Sequence, residues 1–131
     1  MNPATSNDRP ERRRLFEIGA LTFDIDQAHR IVRERPRQVG RLDVTAAAVN
    51  AGFHTAGLPP GTTPAPRAKV NAEYAMKEAN LNEPVLLASL ADGSTRLVDG
   101  FHRLYKAWAL GLLTLPAYLL TREEALEILL E

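Results

Sequence analysis

The spacing of hydrophobic residues changes character along the first part of the chain. Residues 15–18 and 21–23 are short apolar runs separated by a glycine, which makes them candidates for strands. The spacing then becomes helical, with Asp24 as the N-cap and Gln27 in the position of a capping-box partner. Pro36 ends this helix. Its inward face is formed by Ile25, Ala28, His29 and Val32.

The middle of the chain has a less regular pattern. Residues 42–53 fit either a strand followed by a turn or a short helix. Residues 54–68 contain four of the nine prolines together with two glycines, which predicts a long loop. A helix is expected at about residues 70–80, and the residues on one of its sides are Val70, Tyr74 and Leu81.

The C-terminal part has the clearest pattern. Residues 84–90 predict a buried strand, Asp92-Gly93 a hairpin turn, and residues 95–98 the returning strand. A helix follows from residue 101, with its inward positions at Leu104, Ala107, Trp108 and Gly111. We expect Leu104, Ala107, Trp108 and Leu115 to be buried together in one core under the hairpin.

A further strand and helix complete the pattern. Residues 115–120 predict a strand, and the capping box from Thr121 to Glu124 opens a last helix. The inward residues of this helix are Ala125, Ile128 and Leu129. The order of elements predicts a compact α/β (mixed α+β) domain over residues 15–131, a small mixed sheet with flanking helices. Residues 1–14 are expected to form a flexible basic tail.

The amino-acid composition excludes several classes of protein. The chain has 131 residues, of which 45% are hydrophobic and 24% charged, values typical of one globular domain. It has no cysteine, which excludes disulfides, thiolate zinc sites and a cysteine nucleophile. No apolar stretch approaches the ~20 residues of a membrane helix, and the polar first residues do not resemble a signal peptide. We expect a soluble, cytoplasmic protein without a membrane partner.

The net charge of zero hides a gradient along the chain. Residues 1–41 carry nine arginines against six acidic residues, whereas residues 121–131 carry one arginine against four glutamates. Arg12, Arg13 and Arg14 are therefore candidates for contact with nucleic-acid phosphates. The surplus is well below that of polybasic surfaces, so DNA binding is one alternative among several.

Residues 97–103 (LVDGFHR) carry the main candidate chemistry. A strand ends, a glycine permits a sharp turn, and a helix begins. The free N–H groups and the partial positive charge of a helix N-terminus favour an anion. His102, Arg103 and Lys106 add three potentially cationic side chains at the same place. The combination predicts an anion site, for which a phosphate group is the simplest ligand.

Each of these residues also has a structural interpretation. Asp99 fits an N-cap, and Gly100 fits a residue that only permits the turn. Arg103 and Lys106 fit solvated surface positions, and His102 a structural histidine. The residue pattern alone leaves both interpretations open.

The segment 100–116 (GFHRLYKAWALGLLTLP) resembles the conserved box of the ParB/sulfiredoxin superfamily. ParB proteins have Gly-Glu-Arg-Arg, a helix that contains Ala, then Gly-Leu and an Ile-Pro strand. Gly100 aligns with the first Gly, and His102 and Arg103 align with the Arg pair. The further matches are Ala107, Gly111-Leu112 and Leu115-Pro116. The resemblance covers about residues 64–120 and implies a ParB/sulfiredoxin-like domain.

The resemblance implies a nucleotide whose phosphates bind at this box. ParB binds CTP there, whereas sulfiredoxin and the related free-serine kinases bind ATP or ADP. The Asp-Gly-x-His-Arg form is closer to the kinase and sulfiredoxin branch. Phe101 stands where sulfiredoxin has its catalytic cysteine and ParB a glutamate, which excludes reduction of sulfinic acids. No helix-turn-helix pattern follows the box.

Three functions remain as hypotheses. The first is a nucleotide-binding domain, with ATP or CTP and Mg²⁺ as the expected ligands and with NTP hydrolysis or phosphoryl transfer as its activity. Asp99 and His102 are the catalytic candidates, and Asp99 is also the candidate metal ligand. The phosphate-binding candidates are Gly100, Phe101, His102, Arg103 and Lys106. The second is a DNA-associated accessory protein or nuclease of a plasmid, phage or mobile element. The third is a non-catalytic interaction module.

Overall fold

The computed structural model describes residues 14–53 and 71–130. This part of the chain forms five helices and two small sheets, of three and four strands, in a mixed α+β arrangement. The predicted fold class is therefore confirmed. The predicted loop at 54–68 and nearly all of the predicted tail lie outside the described residues.

The elements follow the chain in this order. The strands are β1 (Leu15–Ile18), β2 (Leu21–Asp24), β3 (Gly40–Asp43), β4 (Val85–Ser89), β5 (Thr95–Asp99), β6 (Thr114–Leu120) and β7 (Leu129–Leu130). The helices are α1 (Ile25–Glu34), α2 (Val44–Ala51), α3 (Ala72–Glu78), α4 (Phe101–Ala109) and α5 (Arg122–Ile128). The ambiguous stretch 42–53 thus holds the end of one strand and a helix.

The two sheets differ in the direction of their strands. The three-stranded sheet has the order β1-β2-β7 and is antiparallel throughout. The four-stranded sheet has the order β3-β6-β4-β5, in which β4 and β6 run parallel while the outer pairs are antiparallel. The crossover from β4 to β6 includes β5 and α4, which places the start of α4 beside the end of β5.

The four-stranded sheet has a separate core on each face. Side chains of β4 alternate between them, so that Leu86 and Ala88 pack with α1 and α5 while Val85 packs with α2 and α4. The core on the α1 side is centred on Phe23, Leu120 and Ile128. The core on the α4 side is centred on Phe53, Leu104 and Leu115. The four residues predicted to share a core all lie in or against this one, and the core on the opposite face was not predicted.

The inward face of α4 differs in part from the predicted one. Leu104, Ala107 and Leu115 are buried as expected, but Trp108 is only half-buried. Tyr105 takes the buried aromatic position and meets the Phe53 ring edge to face, with ring centroids 5.4 Å apart. The indole is large and lies at the margin of the core, where it packs against the same phenylalanine at 5.9 Å.

Three other sequence predictions need correction. Tyr74 is 54% exposed, and Ala75 is the residue that α3 buries. Gly111 lies beyond α4 with a φ of +78°, so it belongs to the turn that follows the helix. Leu129 begins β7 instead of ending α5, because it pairs with Phe23 in the three-stranded sheet. Val70 lies outside the described residues.

The N-caps predicted for α1 and α5 are confirmed. Asp24 accepts a hydrogen bond from the Gln27 backbone N–H at 3.1 Å. Thr121 and Glu124 form the reciprocal capping box of α5, at 3.1 and 3.0 Å. Both caps follow from short polar side chains that precede an apolar helical run.

An ion-pair network ties the segment after α1 to α5. Arg37 donates to both carboxylate oxygens of Glu124, at 2.6 and 2.8 Å, and to the Leu119 carbonyl at 2.9 Å. Arg35 donates to both oxygens of Glu127 at 2.9 Å. The hydrogen bonds from Arg37 lead the effects that lower the pKa of Glu124 to about 2. Sequence patterns did not predict this network.

Candidate functional site

A cleft of about 920 Å³ lies where β5 ends and α4 begins. Residues from β1 and α3 form its other walls, so elements distant in sequence converge on it. The polar and charged side chains that line it include Arg14, Tyr74, Glu83, Asp99, His102 and Arg103. The structure therefore brings most of the predicted site residues to one opening.

Gly100 sets the geometry of this turn. Its φ is +110°, in the left-handed region, and a Cβ atom there would lie 2.5 Å from Cγ1 of Val85. No side chain larger than hydrogen fits between α4 and β4 at this point. Gly100 is also the N-cap residue of α4 and supplies no side-chain cap. The first-turn N–H groups of α4 are thus left without a side-chain acceptor from their cap.

Asp99 is the last residue of β5 and lies opposite Leu86, so its interpretation as the N-cap of α4 is wrong. Its Oδ2 lies 2.6 Å from Nε2 of His29. Burial of the Asp99 carboxyl acts to raise its pKa, but the hydrogen bond to His29 and nearby positive charges outweigh this and lower it. An ionised Asp99 accepts the bond, and His29 donates it.

Two guanidinium groups approach the same carboxylate oxygen. Nη1 of Arg14 lies 4.0 Å from Oδ2 of Asp99, and Nη2 of Arg103 lies 3.9 Å from it. These distances allow electrostatic attraction without a direct hydrogen bond. Asp99 is therefore the centre of a group of three basic side chains, with His29 the nearest.

His29 is the site residue that sequence reasoning did not assign. It lies on α1, 70 positions from Asp99, and the helical pattern had placed it on the inward face. An imidazole on an inward face needs a hydrogen-bond partner, and this requirement was the one feature of the sequence that indicated a specific role for His29. The identity of the partner depends on how α1 packs against the end of β5, which local patterns do not reveal.

His102 points its ring towards α3. Its Nε2 accepts a hydrogen bond from the Asn71 backbone N–H at 3.2 Å, and its ring meets that of Tyr74 edge to face at 5.2 Å. In a neutral imidazole whose Nε2 accepts, the proton is on Nδ1. His102 can therefore offer a hydrogen bond to a ligand through Nδ1, and it is poorly arranged as a proton acceptor.

Arg103 and Lys106 hold the segment before β4 against α4. Nη1 of Arg103 donates to the carbonyls of Glu83 and Pro84, at 3.0 and 2.6 Å, and Nζ of Lys106 donates to that of Ala79 at 3.0 Å. The Arg103 side chain is only 16% exposed. The interpretation of Arg103 as a solvated residue is therefore wrong, because backbone carbonyls use part of its hydrogen-bonding capacity.

Phe101 forms part of the wall of the cleft. Its ring stacks on that of Phe16 in β1, with centroids 5.2 Å apart and planes inclined by 28°. This is the position of the family cysteine or glutamate in the resemblance described above. In this protein it joins α4 to β1 through an aromatic contact.

The basic residues of the predicted tail divide into two groups. Arg12 and Arg13 lie outside the described residues. The backbone N–H and Nε of Arg14 donate to Asp26 at 3.1 and 3.0 Å, and its carbonyl accepts from the Ile25 N–H. The backbone hydrogen bond is the leading cause of a lowered pKa of Asp26. Arg14 is thus anchored to the start of α1, and contact with nucleic acid stays a prediction.

The surroundings of Asp99 do not favour the predicted Mg²⁺ site. Among residues 14–53 and 71–130, no group of three or more histidine or acidic side chains is arranged to hold a metal. The Asp99 carboxylate faces His29 and two guanidinium groups, whose positive charges oppose a divalent cation there. The donor set does not fit the ion, so we assign no chemical step to a metal.

None of the helices in the described part of the chain is long and apolar enough to cross a membrane. Scans against protein-family models, characterised proteins and solved structures find nothing that matches this chain. The resemblance to the ParB/sulfiredoxin superfamily therefore stays a prediction, and the geometry of the cleft is the basis for proposing a function.

Proposed function

We propose that the protein binds a nucleotide, ATP or CTP, through its phosphates in the cleft at the start of α4. One observation carries this proposal: the N-terminus of α4, which Gly100 leaves without a side-chain cap, opens into a cleft that Arg14 and Arg103 also line. Backbone N–H groups, the helix dipole and guanidinium groups all favour a phosphate at such a place.

Arg103 is well arranged for this task despite its contacts with backbone carbonyls. The guanidinium group has five N–H donors in a fixed plane, and the two carbonyl bonds are made through Nη1. These bonds fix the plane of the group before a ligand arrives. A donor group held in place loses less conformational entropy when it binds phosphate.

Four carboxylates line the cleft, those of Glu17, Glu78, Glu83 and Asp99, and the charge of Asp99 lies next to the start of α4 where the phosphate would bind. The hydrogen bond from His29 and the two guanidinium groups within about 4 Å offset that charge. Arg14 is also paired with Asp26, which reduces its contribution. We therefore expect binding of moderate affinity, strongest for the ligand with the most phosphate groups.

Asp99 and His29 also support a role in phosphoryl transfer. The lowered pKa of Asp99 makes it a weak base, so we assign it the orientation of an attacking hydroxyl by accepting its hydrogen bond. As the new P–O bond forms, the bond to the leaving phosphate breaks and the hydroxyl proton passes to Asp99. Phosphoryl transfer needs little early proton removal, so positioning suffices. His29 is the positioning residue that holds the carboxylate.

Calorimetry with adenosine, AMP, ADP, ATP and CTP tests the proposal. We expect affinity to rise with each phosphate group. The variant Arg14→Gln is expected to bind ATP about tenfold more weakly, the lower end of the effect of a charge-assisted hydrogen bond. Arg122→Gln, on the exposed first turn of α5, is the matched control and is expected to bind normally.

Two results would contradict nucleotide binding through phosphates. One is equal affinity for adenosine and ATP, which would place the recognition on the base. The other is absence of binding at millimolar ATP and CTP. The interaction-module hypothesis would then take its place.

A further inference from the structure

A second cavity lies on the other side of the stacked rings of Phe16 and Phe101. It has a volume of about 450 Å³, is open to solvent on one side, and is lined by residues of α2, β1 and the hairpin of β4 and β5. Its floor is the cross-strand pair Leu87 and Leu97, which face α2 from the four-stranded sheet. Both leucines are only half-buried, whereas their neighbour Leu86, on the opposite face, is 1% exposed.

The sequence of α2 explains why the cavity exists. Ala46, Ala47 and Ala51 line it, so the helix presents methyl groups where larger side chains would reach the leucine pair. The leucine pair is therefore apolar surface in contact with solvent, and a ligand that covered it would gain the free energy of burying that surface. Among the described residues, no side chain of α2 covers it.

The polar groups lie at the margin of the cavity. Asp43 already caps α2 by accepting from the Ala46 N–H at 3.1 Å, and Asn50 offers an amide. Glu17 and Arg96 contribute one charge of each sign, and Asp43 adds a second negative charge, so the lining offers no net attraction to an anion. An apolar interior with a few polar groups at its margin is the usual composition of a site for a small molecule.

We propose that this cavity, hereafter the α2 cavity, binds an uncharged aromatic or alicyclic molecule of small size. Its volume is about three times the roughly 150 Å³ of an apolar cavity that takes up benzene. The flat leucine floor and the stacked phenylalanine wall favour rings over flexible chains. The ligand's polar edge faces Asn50 and the Oδ2 atom of Asp43.

The α2 cavity is a different place from the phosphate cleft, although the two share a wall. Phe16, Glu17 and Phe101 line both, whereas the cationic residues of the cleft line only the cleft. The inference therefore does not depend on nucleotide binding. A ring in the α2 cavity would touch Phe101, the first residue of α4.

Titration with N-phenyl-1-naphthylamine, an uncharged fluorescent probe, tests the inference on the full chain. We expect saturable binding of one probe molecule with a strong rise in its fluorescence. Ala47→Leu is expected to weaken binding at least roughly tenfold, because its side chain would occupy the space above the leucine floor. Thr45→Leu, on the same helix but exposed and away from the cavity, is the matched control and is expected to bind as the wild type does.

Circular dichroism checks that each variant is folded, and Ala47→Val provides a smaller obstruction if the leucine variant does not fold. Unsaturable fluorescence in the wild type would overturn the proposal, and so would normal binding by a folded Ala47 variant. Displacement of the probe by adenosine or cytidine would also overturn it, since the α2 cavity would then be the base subsite of the cleft. Persistence of probe binding with saturating ATP supports a separate ligand.

Discussion

Two groups of charged residues each surround one carboxylate with cations, and they differ in how completely that carboxylate is used. Glu124 accepts from Arg37 at both oxygens and from the Thr121 backbone N–H, and it is almost fully buried. Asp99 has a close hydrogen bond at one oxygen, from His29, and it lines an open cleft. The first arrangement is saturated and holds the fold together, whereas the second has capacity left for a ligand.

The comparison shows that charge alone does not distinguish a structural cluster from a site. Both groups contain two arginines, and in both the positive charges help to lower the pKa of the carboxyl. The difference lies in the unused hydrogen-bonding capacity and in the space next to it. Substitutions in the two groups should therefore change different properties.

The largest expected effect is on stability, from Glu124→Ala. This change leaves the half-buried Arg37 without its bidentate partner and removes the bond from the Thr121 N–H to the Glu124 carboxylate in the capping box of α5. Loss of one partner of a buried ion pair costs ~3–5 kcal/mol, and because Arg37 is only half-buried the free energy of unfolding should fall by about 3 kcal/mol. Urea denaturation measures it. Glu127→Ala, which breaks an exposed pair, is the control and should change stability far less.

The same cluster should make stability depend on acid pH. The pKa of Glu124 falls from an ordinary 4.5 to about 2 in the folded protein. Its contribution is therefore complete above about pH 4.5 and is lost as the pH falls towards 2, because the unfolded chain takes up the proton first. Glu124→Gln should flatten the stability profile in this window. An unchanged slope would show that other carboxyls dominate acid unfolding.

Arg103→Ala should have the next largest effect, because this side chain both supports the fold and lines the cleft. The side chain makes hydrogen bonds to the carbonyls of Glu83 and Pro84, and hydrogen bonds to a charged group contribute ~1.5–3 kcal/mol. We expect a loss of stability of that order together with weaker ATP binding. Thermal unfolding and calorimetry separate the two. Unchanged stability in this variant would contradict the expectation, because it would mean that water replaces Arg103 as the hydrogen-bond donor to these carbonyls at no cost.

Asp99→Asn should cause the smallest change in stability. The direction of its effect on ATP affinity is the informative result. The amide preserves the shape and can still pair with His29, so stability should fall by only about 1 kcal/mol. Removal of the negative charge next to the phosphates should tighten ATP binding severalfold while any turnover falls. Weaker ATP binding in this variant would contradict the placement of the phosphates beside Asp99.

The sequence predicted much of the fold because the relevant signals are local. Caps at Asp24 and Thr121 and the Asp92-Gly93 turn follow from the preferences of short polar residues and glycine. The division into two cores was missed because β4 is buried on both faces, and a continuous apolar run does not reveal which side chains share a face with which helix.

The sequence predicted the part of the candidate site that lies on the turn between β5 and α4, and it did not predict the residues that reach this turn from α1 and from the segment before β1. The turn at Gly100 was recognised, but its glycine is required by the approach of Val85, a contact that no local pattern contains. His29 and Arg14 reach Asp99 through tertiary packing, so their roles became visible only in the structure. Arg103 was identified as a residue of interest for its charge, and its bonds to backbone carbonyls were unforeseen.

The long separation between paired strands has a consequence for how this protein acquires its shape. Gly40 pairs with Ala117, and Thr22 with Leu130, so each sheet joins segments that are distant in the sequence. Loop-closure entropy makes such distant pairings slow, and domains rich in them fold over milliseconds to seconds. The contact of His29 with Asp99 is also a distant one, across 70 positions. In a refolding time course, the ability to bind ATP should therefore emerge with the slowest phase, after helix formation is complete.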